Sequence, residues 1–332
     1  MSQTRGKQGH DAGRRIAWLA VGVAAFVAAY SGGWFWFAGQ VDEAVASYGQ
    51  DRAQGASLAC PGRDITGFPL RIGVFCESVE LTGANGAFVL QAAAMRSSAV
   101  VYNPRHVIAD IESPVTIAVP AGGPRYEIEW DQGRLSAITA PQAERMASLF
   151  ADEARLSLPW LPAAVTAADF EAHLRQIDGA LDIAASPRGV RIPPQWLGGR
   201  TLPEAGFDLD MRLADFGTDW AGQKGGGEGE INRLSLILTE DRGVILQGPF
   251  SVSPQGVISG AFELRVVDVP GVAAELGAVL PELVAPIEAL TAGGQAGDEA
   301  TLRLTVREGR VFAGIIPLGT LPRLGFGPFA GS

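Results

Sequence analysis

The chain has 332 residues, of which 47% are hydrophobic and 19% charged. That composition is too apolar for a disordered chain, and its 43 glycines and 21 prolines interrupt it too often for a bundle of membrane helices. A formal net charge of −10 argues against a nucleic-acid partner, because phosphate binding needs a basic surface.

Residues 16–38, IAWLAVGVAAFVAAYSGGWFWFA, carry no charge. A helix of this length crosses a hydrocarbon core of about 30 Å. Arg5, Lys7, Arg14 and Arg15 precede it against a single Asp11, whereas Asp42 and Glu43 follow it. The asymmetry predicts a cytoplasmic tail at 1–15, a transmembrane anchor at 16–38, and everything beyond on the outer side of a bacterial inner membrane, in the periplasm. Trp34, Phe35, Trp36 and Phe37 form an aromatic belt at the outer interface. The competing reading is a cleaved signal peptide, but its apolar region is usually shorter and ends at small residues. Residues 39–57 read as a juxtamembrane helix, with Val41, Ala44, Val45 and Tyr48 on one face.

From residue 58 onward the period becomes two. Leu70, Ile72, Val74 and Cys76 alternate with Arg71, Gly73 and Phe75. Short strand-like runs follow, closed by prolines or by turns such as Asp131-Gln132-Gly133, Asp241-Arg242-Gly243, Pro254-Gln255-Gly256 and Glu308-Gly309. Phe170, Ala172 and Leu174 fall on one strand face, as do Phe207, Leu209, Met211 and Leu213. Two segments read as helical instead: 141–156, and 269–294 with kinks at Pro281 and Pro286. The expected fold is therefore mostly β, an elongated and curved antiparallel sheet over 58–332 with a few covering helices. A soft boundary is expected near 195–228, with loops at 223–230 and 292–299.

The N-terminal anchor, GFPLRIGVFC, VYNPRHVIADIESP and the closing VREGRVFAGIIPLGTLPRL together resemble the bacterial domain of unknown function family 2125. The resemblance covers nearly the whole chain. In layout that family is similar to the AsmA-like envelope proteins, which carry an inner-membrane anchor and an elongated β-rich periplasmic part. The resemblance implies a role in envelope maintenance, in the class of phospholipid transport, and assigns no residue a role.

Catalytic motifs are missing from the sequence. Its three histidines, His10, His106 and His173, have no metal-ligand spacing, and neither GxSxG nor CxxC occurs. Lys224 sits in a glycine-rich run that lacks the phosphate-cradle ending. Alternating acids, Glu127 with Glu129 and Asp208 with Asp210, are what a half-solvated strand shows. The expectation is a non-enzymatic protein with no cofactor and no metal. Its partners would be the inner membrane, a lipid or other apolar ligand held in a sheet groove, or another envelope protein docked on it. The candidate lining of such a groove is Leu209 and Met211 from a strand, with Val272, Leu276, Leu280, Leu283 and Val284 from the second helical segment; the same residues also suit a closed core.

Cys60 and Cys76 are the only cysteines. Outside the cytoplasm the default for such a pair is a disulfide, and the two are equidistant from Phe68, the middle of a Gly67-Phe68-Pro69 turn. Pro61-Gly62 interrupts the first arm, so a looser closed loop serves as well as a paired hairpin. A redox site lacks the short spacing it usually needs.

Overall fold

The computed structural model describes residues 8–48, 57–83, 88–118, 125–138, 145–159, 162–215, 226–239, 241–279, 299–321 and 323. It contains α1 (Gln8–Tyr48), the one helix among the described residues long and apolar enough to cross a membrane, followed by twenty strands in one antiparallel sheet.

The sheet is an up-and-down meander in which each strand pairs with the next. Toward its N-terminal edge the strands are broken at mid-length, so that each run counts as two. These are β1 (Ser57–Ala59) with β2 (Asp64–Thr66), β3 (Arg71–Cys76) with β4 (Val79–Thr82), and β5 (Val89–Ala92) with β6 (Met95–Val100). β7 (Asn103–Ile111) continues into β8 (Val115–Ala118), and β9 (Arg125–Glu129) into β10 (Gln132–Ile138). First halves pair with second halves: β2 with β3, β3 with β6, β6 with β7 and β7 with β10 on one side of the break, and β1 with β4, β4 with β5, β5 with β8 and β8 with β9 on the other. Both β9 and β10 then lie along β11 (Arg145–Ser157).

The breaks line up as a crease across the sheet, and local chemistry sets them. Pro61-Gly62 and Ser113-Pro114 remove ladder donors, and Glu153 takes a left-handed backbone at φ 50° in the middle of β11. Each side of the crease keeps its alternation, but the phase slips across it. Leu149 and Ala151 before Glu153, and Ala154 and Leu156 after it, all line the same hollow. The slip explains why 141–156 reads as helical: two period-two runs out of phase imitate a spacing of three and four. Residues 145–157 are strand, not helix.

Beyond the crease the meander continues through β12 (Val165–Ile177), β13 (Ala180–Ala185), β14 (Gly206–Leu213), β15 (Gly227–Thr239), β16 (Arg242–Val252) and β17 (Ile258–Val267). The run 227–230, expected in a loop, opens β15, and β14 pairs with β13 on one side and β15 on the other. After α2 (Val269–Val279) the chain returns as β18 (Glu299–Arg307), β19 (Arg310–Ala313) and the edge strand β20 (Ile316–Thr320).

α2 begins where its sequence dictates. The Asp268 side chain accepts from the Gly271 amide at 3.0 Å, a helix N-cap. Arg242 donates to Asp268 at 2.6 Å and to Glu275 at 2.5 Å, tying the helix to β16. Gly271 leaves room for this pair, since a Cβ would lie 2.1 Å from Asp268 Oδ2 and 2.2 Å from Arg242 Nε and would push the two side chains aside. The apolar side of α2, with Val269, Val272 and Leu276 buried, seals Val266, Leu238 and Ala300 beneath it.

At the opposite edge α1 meets the sheet. Trp34 and Ala38 are buried against Ile72 and Ala99. Trp34 Nε1 donates to the Arg71 carbonyl at 2.9 Å, and Arg63 pairs with Asp42. Cys60 and Cys76 are at bonding distance with Cα atoms 5.1 Å apart. The turn of their hairpin is one residue wider than Gly67-Phe68-Pro69 and its register is shifted, Ile65 pairing with Val74. Continuing that register would set Cys60 opposite Val79; the break at Pro61-Gly62 lets it reach Cys76 diagonally across the crease.

Candidate apolar ligand site

Pairing register shows what the sheet presents on each face. One row of directly opposed residues runs Ile72, Ala99, Val107, Ala137, Ala147 and Leu174. It continues through Ile183, Met211, Ile231 and Gly248 and, past a gap in the pairing at Gly248-Pro249, through Phe262 and Leu304. The neighbouring row on the same face reads Ala109, Leu135, Leu149, Ala172 and Ala185, then Leu209, Leu234, Leu246, Leu264 and Leu302. No polar side chain interrupts either stretch. α1 covers the Ile72 end, and α2 packs at the far corner on Val266 and Ala300. Between the two helices the face is only half buried, and Leu174 is 43% exposed.

The opposite face is charged. Arg175 donates to Asp182, which also pairs with Arg212, while Arg134 pairs with Asp110. These ion pairs share that face with the exposed apolar side chains Ile108, Ile138, Met146 and Phe150, and both faces are open to solvent over the middle strands. A half-solvated sheet normally puts its apolar face against a covering layer. Among the described residues that layer exists only at the two ends.

The apolar face deepens at the crease into a cavity of about 330 Å³. Its lining is hydrocarbon apart from Arg155 and Thr166, and Ala151, Ala154 and Ala167 make a floor of small side chains. Trp130 forms one wall, held by its Nε1 donating to the Ile111 carbonyl at 2.9 Å and by Ser113 donating to its own carbonyl at 2.8 Å. The five-membered ring of the indole packs on Gly133, where a Cβ would fall 2.2 Å from Nε1. Phe170, Val190 and Phe207 close the other side. The volume suits part of a small apolar molecule or a length of acyl chain.

The structure places the residues nominated from sequence in three different settings. Leu209 and Met211 lie on the two apolar rows, beside the open middle of the face. Val272 and Leu276 belong to the sealed core beneath α2 rather than to an open surface, because α2 turns its apolar side inward. Leu280, Leu283 and Val284 lie outside the described residues, as does the 292–298 part of the expected second loop. Sequence reasoning missed the cavity walls Trp130, Ala151, Ala167 and Phe170.

On the charged face one polar string stands out. Ser148 Oγ lies 2.8 Å from His173 Nδ1, and His173 Nε2 lies 2.7 Å from Glu171 Oε1. His106 Nε2 similarly meets Ser136 Oγ at 2.9 Å. Serine, histidine and carboxylate in series evoke a hydrolase triad, but the ring nitrogens are used in the opposite sense. The string also lies on an open strand surface, where the neighbouring backbone amides are committed to the ladder, and among the described residues no oxyanion site faces it. Among the described residues no group of three or more His, Cys, Asp or Glu is arranged to hold a metal ion.

Residues 34–322 match the model of a family described as uncharacterized protein conserved in bacteria, DUF2125. The chain belongs to the DUF2125 family. The matched span opens at Trp34, the first α1 residue buried against the sheet, and takes in every strand named above. The match to DUF2125 thus takes in the creased sheet together with the part of α1 that packs on it. A search of the curated proteins found no match.

Proposed function

We propose that this DUF2125 protein is a single-pass membrane protein that holds a lipid, through its acyl chains, on the apolar face of its sheet. The observation that carries the reading is the pair of apolar rows that no described residue covers between α1 and α2, with a hydrocarbon-lined cavity opening from them. The protein acts by binding and not by catalysis. The cationic flank before α1 and the acidic residues after it support a cytoplasmic N-terminus, and the Cys60–Cys76 pair supports an oxidising compartment for the sheet. These features support a place in the bacterial inner membrane with the sheet in the periplasm, and a role in envelope maintenance accords with that place.

The test is to purify the full chain in a mild detergent, wash it extensively, extract it with organic solvent and weigh the lipids by mass spectrometry. The reading predicts a lipid retained at a fixed ratio to protein. Retention no greater than for an unrelated single-pass protein handled identically would contradict it.

A second reading rests on β20. Every residue of this edge strand is exposed, Ile315 before it is 95% exposed, and among the described residues no strand pairs with its outer edge. That edge would seat a strand from another envelope protein.

A further inference from the structure

We infer that two hairpin turns of the sheet dip into the outer leaflet beside α1, so that the sheet stands on the bilayer rather than hanging from a free tether. The inference rests on α1 being a membrane anchor and does not depend on what the sheet binds.

The level of the turns is fixed by their contacts with α1. The apolar run from Ile16 to Ala38 spans about 33 Å as a helix, slightly more than a hydrocarbon core of about 30 Å. The turn between β2 and β3 packs against that run and not beyond its end. Tyr30 donates its hydroxyl to the Pro69 carbonyl at 2.5 Å. Phe68 lies edge-on to Trp34 at 5.5 Å and stacks on Phe35 at 5.8 Å. Tyr30 stands about 12 Å along the axis before Ala38, so a turn alongside residues 30–35 is level with the apolar segment. Further along α1 the contacts move up the strands, to Ile72 and then to Arg63, so the turn end of the sheet faces the membrane.

The side chains at that level suit a bilayer. The turn between β6 and β7 sits beside the first, with the Val101 amide donating to the Leu70 carbonyl at 3.1 Å. Residues 67–70, GFPL, and 101–104, VYNP, carry no charge. Leu70 is 64% exposed and Tyr102 85% exposed, and Phe68 and Val101 are also open. Four apolar or aromatic side chains clustered at hairpin tips, next to the aromatic end of an anchor, are what an interfacial contact requires. In water the same cluster would be an exposed apolar patch with nothing to offset its hydration.

The experiment uses the full chain in liposomes with one added cysteine carrying an environment-sensitive NBD label; the native pair is bonded and does not react. Three positions are compared: Tyr102→Cys at the turn, Ile315→Cys at the opposite edge of the sheet in the turn that leads into β20, and Val23→Cys inside α1. Quenching by a nitroxide at carbon 5 of the lipid acyl chain should be at least twofold greater at 102 than at 315, with a blue-shifted emission at 102. Equal quenching at 102 and 315, with 23 quenched, would overturn the dipped turns while leaving the anchor intact. No quenching at 23 would remove the anchor, and the inference with it. Ile315 and Tyr102 are both exposed apolar positions, so a difference between them reports depth and not hydrophobicity.

Discussion

Replacing Ala151 by leucine tests whether the cavity at the crease is where a ligand's hydrocarbon sits. Ala151 is 3% exposed on the floor of a cavity of about 330 Å³, and its Cβ points into that space between Trp130 and Phe170. Leucine adds three carbon atoms there and displaces about the same number of ligand methylenes. At about 0.8 kcal/mol per buried methylene the ligand loses about 2.4 kcal/mol, a Kd weaker by about 60-fold. The new side chain fills empty space, so folding stability should hold or rise. The assay is titration of the full chain with a fluorescent fatty acid, in the same detergent for both proteins, with a thermal melt of each. A Kd unchanged by Ala151→Leu, at an unchanged melting temperature, would refute the assignment of the cavity.

Three further outcomes follow from the geometry. Converting both Cys60 and Cys76 to serine opens a loop between residues 16 apart in sequence and should lower unfolding free energy by about 3 kcal/mol, read as a lower urea midpoint; an unchanged midpoint would mean that the pair is not bonded in the native protein. Asp268 is held below the usual carboxylate range, first by its hydrogen bond from Arg242 and then by the Gly271 amide. The stability it lends to α2 is present above the unfolded carboxylate value of about 3.9 and is lost as pH falls through the lower folded value. Thermal melts from pH 6 down to 3 should therefore decline more steeply for the native chain than for Asp268→Asn, and parallel declines would show that the contact contributes nothing. A fluorophosphonate probe should leave Ser148 unmodified; labelling of Ser148 that disappears in His173→Asn would overturn the non-enzymatic reading.

The meander was readable from sequence because its turns are marked by Gly, Pro and Asp, and because alternation survives within each half-strand. Leu209 and Met211 could be assigned to an apolar face for the same reason: FDLDMRL alternates without a break in front of a neighbouring strand that alternates too. The crease was not readable. Glu153 carries no turn signature, yet its left-handed backbone moves Ala154 and Leu156 to the face of Leu149 and Ala151, and the sequence there looks like a helix. The cavity escaped notice because its floor is alanine, which alternates as weakly as it binds, and because its walls come from strands far apart in the chain. The cysteine pair is legible from its spacing and its expected compartment, and Pro61-Gly62 announces the break in the first arm, but the shifted register that makes the bridge diagonal is set by the Ile65–Val74 pairing beyond it. Val272 and Leu276 show the converse: a helix with an apolar side says that something is covered, not which surface stays open.

The most direct test of the central claim uses two adjacent residues that face opposite ways. Leu174 lies on the exposed middle of the apolar row, and His173 lies on the charged face. Benzoylphenylalanine placed at each position in the full chain and irradiated in living cells should give a lipid adduct, measured by mass spectrometry of the intact protein, at 174 and not at 173. Equal lipid labelling at both positions, or a protein adduct at 174 in place of lipid, would contradict the account.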